Sequence, residues 1–204
     1  MRYITVAKRI FPAMAEALCF LFFAAGEARA HPHVWIENSV RFQFDDKKRL
    51  VKIIHRWKFD RMFSAAAAKN YKAGKDGTFT AKQAAKMREL SFGSIDEMGD
   101  FTHIYVNGEL QFASPLEDFK PVMLDGALVC TFSVSLKVPL DPFRDKVEVA
   151  VYDGMYYYDI TFDEPPVELA GISADACPCP IYEDAEHAEY FGLINPATVK
   201  LCRE

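Results

Sequence analysis

From Val34 to Phe44 the chain alternates. Val34, Ile36, Val40, Phe42 and Phe44 are apolar, and Trp35, Glu37, Ser39, Arg41 and Gln43 stand between them. A period of two puts one set of side chains on one face of an extended strand, whereas a helix would scatter them around its circumference. The segment is therefore expected to be a strand whose even positions enter a core, with Asn38 as the polar exception on that inner face. "DDKKR" turns the chain, and Val51, Ile53, His55, Trp57 and Phe59 line one face of a second strand.

Between about 61 and 98 the pattern becomes helical. "SAAAAKNYKA" reads as a helix, "GKDGTFT" breaks it, and Thr80 is expected to cap a second helix through "AKQAAKMREL". Strands then return. In "FTHIYVNGELQF" the pair Asn107-Gly108 suits a two-residue type I′ turn between two strands. In "LVCTFSVSLKV" the residues Leu128, Cys130, Phe132, Val134, Leu136 and Val138 are expected inward, and "KVEVAVY" and "YYYDITF" follow. The fold class is α+β, a mainly antiparallel β-sandwich-like domain with an inserted helical segment at about 61–98.

The first thirty residues read as a secretory signal peptide. Arg2, Lys8 and Arg9 precede an apolar run, and Ala28-Arg29-Ala30 forms a small-residue exit, so cleavage is expected after Ala30 and export to the periplasm follows. Glu16 interrupts the apolar run, and no later stretch approaches the ~20 apolar residues of a spanning helix, so no stable membrane insertion is expected after cleavage. The expected organisation is a signal at 1–30, a β-rich domain at 31–171 and a Cys/Pro-rich tail at 172–204. The net charge of -5 becomes two units more negative once the signal leaves, which argues against nucleic acid as partner.

The cleavage position makes the histidines the chemical question. His31 and His33 stand two residues apart on a strand, so both face the same side, and Pro32 stiffens the link. If His31 begins the exported chain, its α-amine adds a third nitrogen donor. Such donors suit nickel, cobalt, zinc or copper. Pro32 has no amide proton, so successive backbone amides cannot wrap the ion. Binding would release protons and weaken as the pH falls through the ordinary imidazole range. A competing reading is a frayed terminus whose histidines merely follow a signal.

His55, Asp60 and Asp153 are the candidates to complete the shell: His55 lies on a strand that runs into "WKFD", and the two aspartates stand at strand ends, where loops place ligands. Asp153-Gly154 is also an ordinary turn signal. His103 reads as a hydrogen-bonded core residue and His187 as a solvated side chain on a short acidic helix, "YEDAEHAEY". No nucleophile elbow, phosphate loop or zinc-protease helix occurs, and the chain is not expected to be an enzyme. "KAGKDGTFTAKQ" resembles part of a calcium loop, but Tyr71, Ala73 and Lys75 replace the oxygen ligands and calcium is rejected. Among the cysteines, Cys202 is expected to bond Cys177 or Cys179 in an oxidising compartment while Cys130 stays a buried thiol. A zinc site of Cys177, Cys179, His187 and Cys202 is the alternative.

"HPHVWI" behind a signal, then "HRWKFD", then "YDGMYYY", in this order and spacing, resemble a bacterial family of uncharacterised periplasmic proteins, a domain-of-unknown-function family labelled as periplasmic components of ABC-type transport systems. The likeness covers His31 to Gly171. It rests on His31, His33 and Trp35, then Trp57, Phe59 and Asp60, then Tyr152, Asp153 and Tyr156. Glu37 stands where an aspartate is commoner, and the Cys-Pro-Cys-Pro tail lies outside the pattern. The resemblance implies an accessory or solute-binding role beside a nickel, cobalt or zinc transport system, with a membrane metal transporter or permease as partner. The rival readings are an interaction or assembly subunit with no metal role and a copper protein using the terminal histidine.

Overall fold

A computed structural model describes residues 33–93, 101–192 and 194–203. The expected signal segment, His31, Pro32 and residues 94–98 of the expected helical insertion lie outside the described residues. β1 (Val34–Phe44) coincides with the alternating segment, and Asn38 is wholly buried on its inner face. Asp45 closes the turn that follows, its Oδ1 accepting the backbone N–H groups of Lys47 and Arg49 at 2.9 Å each.

In β2 (Leu50–Phe59) the residues Ile53, His55, Trp57 and Phe59 are buried as the alternation requires. Val51 departs from its expected inward place. Gln43 pairs with Lys52 but Phe44 pairs with Leu50, so Val51 is the extra residue of a bulge and Leu50 takes the core position.

The excursion that follows holds α1 (Arg61–Tyr71) and α2 (Ala81–Met87), the latter continuing into a π-helical turn, Arg88–Phe92. Thr80 caps α2 as expected, in a reciprocal capping box with Gln83. Ser64 fastens α1 to the sheet. Its hydroxyl lies 2.6 Å from the Asp60 carbonyl and accepts the Leu128 N–H at 2.8 Å.

β3 (Thr102–Val106) and β4 (Glu109–Gln111) form the hairpin, with φ of 54° at Asn107 and 86° at Gly108 as a type I′ turn demands. β5 (Glu117–Leu124) is not anticipated by the sequence pattern, because Pro121 interrupts it; it lies on a sheet edge, where a missing N–H is tolerated. The remaining strands are β6 (Ala127–Leu140), β7 (Val147–Val151), β8 (Tyr158–Ala170), β9 (Ile181–Glu183) and β10 (Ala197–Lys200).

The strands make two five-stranded sheets, ordered β5-β6-β2-β1-β8 and β4-β3-β7-β10-β9. The named pairs are antiparallel except β1 with β8, which is parallel. β9 and β10 come from the segment after residue 171, so the expected tail supplies part of the second sheet.

The sheets face each other across an aromatic core, in which the Trp57 and Phe101 rings stack with centroids 6.2 Å apart and Trp57 meets Phe132 edge-on at 4.8 Å. Each such fully buried side chain contributes on the order of 1.5–3 kcal/mol. Two antiparallel-rich sheets with few helices agree with the α+β expectation.

Two expectations are corrected here. Val138 is 69% exposed rather than inward. Lys52 pairs with Ser135 but Leu50 with Leu140, so β6 bows out between these partners and carries Val138 away from the core. The stretch "YEDAEHAEY" is not a helix: residues 181–183 pair with β10, and Asp184 then accepts the backbone N–H groups of Glu186 and His187 in a turn.

Candidate functional site

The start of β1, the end of β2 and the loop between β7 and β8 meet at one rim of the first sheet. The backbone N–H of His33 donates to the Tyr157 carbonyl at 2.9 Å, and the exposed His33 ring packs against the Tyr157 ring with centroids 4.8 Å apart. Two residues on, the backbone of Trp35 is joined to Asp60. The structure thus brings His33, Asp60 and Asp153 to the same rim, with His31 outside the described residues.

Both rim carboxylates are engaged by backbone. Asp60 is the N-cap of α1: its Oδ1 accepts the N–H groups of Met62 at 2.7 Å and Phe63 at 2.9 Å, and its Oδ2 accepts that of Trp35 at 3.2 Å. Asp153 is 3% exposed; its Oδ1 accepts the N–H of Met155 at 2.9 Å, and its Oδ2 those of Tyr157 at 2.9 Å and Tyr158 at 3.0 Å. An ionised carboxylate has about four lone-pair positions. Each therefore keeps little capacity for a metal, and each acts first as the clasp of a loop. A cleft of about 420 Å³ opens beside Asp153, lined by Phe63, Leu90, Ser91, Met155 and Tyr157 among others.

His55 is elsewhere. It pairs with Val40, seven positions along β1 from His33 and roughly 23 Å of strand away, and it points inward where His33 points out. It is wholly buried, with Nδ1 3.4 Å from Asn38 Oδ1 and Nε2 3.1 Å from Thr102 Oγ1, and its ring stacks on Phe132 at 4.9 Å. Burial pushes its pKa down to about 3, so the imidazole is neutral. His55 is a polar member of the core, and the structure does not join it to the rim.

His103 matches the core reading. Its Nε2–H donates to the Tyr152 carbonyl at 3.2 Å and its ring stacks on Tyr152 at 3.9 Å. Burial holds it below the ordinary imidazole range, against the opposing effect of that hydrogen bond. His187 is not the free side chain expected of it: Nδ1 lies 2.7 Å from Asp184 Oδ2, and the ring stacks on Tyr105 at 4.1 Å.

Cys177 is bonded to Cys202, while Cys130 is a buried thiol whose pKa is raised by burial. The disulfide and the engagement of His187 with Asp184 rule out the four-ligand zinc arrangement in this state. With Cys177 and Cys202 bonded to each other, no group of three or more His, Cys, Asp or Glu side chains among the described residues is gathered to hold a metal.

Tyr157 is a rim residue that the sequence pattern does not single out. It stands four positions after Asp153, and the Asp-Gly turn signal is the one clue to the loop that aims it at His33.

A two-sheet β domain with a histidine at the head of its first strand, and two aspartates clasping the loops beside it, defines the class. The chain belongs to the family described as "Protein of unknown function (DUF1007)", which matches residues 16–191. No curated protein matches it. Among the described residues no helix is long and apolar enough to cross a membrane.

Proposed function

We propose that this chain is an exported, periplasmic accessory protein that binds a divalent transition metal, nickel, cobalt or zinc, and serves a membrane transporter or permease. The reading is one of binding rather than catalysis. The observation that carries it is the placement of His33: exposed at the head of β1, on the rim shared by Asp60 and Asp153. His31 and His33 supply nitrogen donors, and an aspartate or water completes the shell. The disulfide between Cys177 and Cys202 supports the exported compartment.

Calorimetric titration of the exported chain with each metal tests this. His33→Ala is expected to weaken binding at least about tenfold, and one residue added before His31 to weaken it as well if the amine is a ligand. Equal affinity of wild type and His33→Ala removes the reading.

One observation favours the second reading, an interaction subunit. Trp35 is 49%, Met62 70% and Met155 69% exposed, all on this rim. Large apolar side chains gathered in one place mark a surface for a partner protein.

A further inference from the structure

Three sulfur atoms meet beside the end of β10, at the far end of β7 from Asp153. Cys177 is bonded to Cys202, and Cys179 Sγ lies 4.0 Å from Cys177 Sγ. The Cys179 thiol also donates to the Cys177 carbonyl at 3.3 Å, which holds it beside the bridge. The surroundings are firm. The Lys200 N–H donates to the Pro180 carbonyl and the Leu201 N–H to the Val147 carbonyl, both at 3.0 Å, and Leu201 and Cys177 are buried. Pro178 fixes one backbone torsion of the short link from Cys177 to Cys179.

We propose that, once the Cys177–Cys202 bridge is reduced, Cys177, Cys179 and Cys202 form a three-sulfur site for a soft, thiophilic metal ion, with monovalent copper the best match. A metal–thiolate bond is about 2.3 Å, so three sulfurs in a plane around one ion stand about 4.0 Å apart. Cys177 and Cys179 already hold that separation. When the bridge opens, Cys202 moves from bonding distance to ordinary contact with Cys177 and completes the triangle.

Thiolate donors select copper(I) over the harder ions, and a set of three thiolates suits an ion that accepts trigonal coordination. His187, the nearest histidine in sequence, is held by Asp184 and Tyr105. The reduction is balanced by a dithiol: it gives two electrons and two protons to the bridge and becomes a disulfide itself. Metal entry then displaces the thiol protons. In the bridged state Cys179 is the one free thiol of the three, and a disulfide sulfur is a poor ligand, so the redox state of the bridge gates the site. This site is separate from the rim of the proposed function, and its chemistry is that of sulfur rather than nitrogen.

The test is competition for copper(I) against a coloured copper(I) chelator, without oxygen, using the full chain in its bridged form and after treatment with a dithiol that is then removed. Cys179→Ser keeps the bridge, so its fold is checked by circular dichroism before titration. The reduced wild type is expected to take up about one copper(I) more than the bridged form, with ultraviolet thiolate-to-copper absorption, and reduced Cys179→Ser to bind at least about tenfold more weakly. His33→Ala is expected to behave as wild type, which separates failure of this site from failure of the rim. Equal copper(I) affinity of reduced wild type and reduced Cys179→Ser, or equal binding by the bridged and reduced chains, would overturn the proposal.

Discussion

The backbone N–H of Trp35 donates to Asp60 Oδ2 at 3.2 Å, and the N–H of Asp60 returns a bond to the Trp35 carbonyl at 3.0 Å. This reciprocal pair continues the β1–β2 ladder one step past Ile36 and Phe59. The same carboxylate caps α1 through Met62 and Phe63. The start of the first strand, the end of the second and the first turn of the helix therefore move as one unit. His33 stands two residues from that clasp, and Asp153 secures the loop beneath its ring through Tyr157.

Asp153→Asn is expected to destabilise the chain by about 1–3 kcal/mol, because an amide nitrogen cannot accept a backbone N–H and the site is buried. The same change frees the Tyr157 ring from its place under His33. Urea unfolding measures the first effect, and the nuclear magnetic resonance linewidth of His33 the second. Wild-type stability in the variant would show that Asp153 is not the clasp.

Ser64→Ala tests how α1 is held to the first sheet. Ser64 is wholly buried, and its oxygen is the acceptor for the Leu128 N–H at 2.8 Å. Alanine fits the space but leaves that N–H without a partner, at a cost of about 1–3 kcal/mol. Hydrogen exchange at Leu128 is expected to quicken in the variant, and an unchanged rate would reject the role.

β1 is legible in the amino-acid sequence because its alternation runs the length of the strand, and the Asn107-Gly108 turn because few other residue pairs tolerate two positive φ values. Val51 and Val138 depart from the pattern for one shared reason. A bulge is set by how two strands pair, and the alternation of one strand carries no record of its partner. β5 is hidden by Pro121, which is unfavourable in a central strand and harmless at an edge.

At the site, position is legible and occupancy is not. Periodicity alone places His33, Asp60 and Asp153 at strand ends. That each aspartate accepts three backbone N–H groups depends on loop closure, which the spacing does not encode. His55 is in phase with Ile53 and Trp57, and that phase already points inward.

Gly171→Ala should be costly for two independent reasons. Gly171 has φ of +87°, and a Cβ built there would stand 2.5 Å from the Phe44 carbonyl oxygen, a backbone atom that cannot swing aside. The left-handed conformation alone costs alanine roughly 1–2 kcal/mol, and the contact adds to this by pushing β1 and β8 apart at their ends. Thermal unfolding of the variant is expected several degrees below wild type. Gly108→Ala, which has a positive φ but meets nothing within 4 Å, should lose less. Equal losses at the two sites would mean that the close approach to Phe44 has no energetic weight.

His55 gives the fold a calculable pH dependence. The folded chain takes up its proton near pH 3, whereas the unfolded chain does so near the ordinary 6.5. Between these values the unfolded state binds more protons, so stability rises with pH across that window. The contribution is complete above 6.5 and is lost as the pH falls towards 3. The slope is about 1.4 kcal/mol per pH unit, or roughly 2 kcal/mol by pH 5.0. His103, lowered by burial, acts in the same direction, so the wild-type slope contains both. His55→Phe separates them. At pH 7.5 it should cost about 1–3 kcal/mol, because Asn38 and Thr102 lose their partner. At pH 5.0 the gap between the two proteins should narrow by roughly 2 kcal/mol, since the variant has no residue 55 proton to bind. Urea unfolding of both proteins at the two pH values decides it, and a gap that does not change with pH would show that the imidazole of His55 is not the group held neutral in the core.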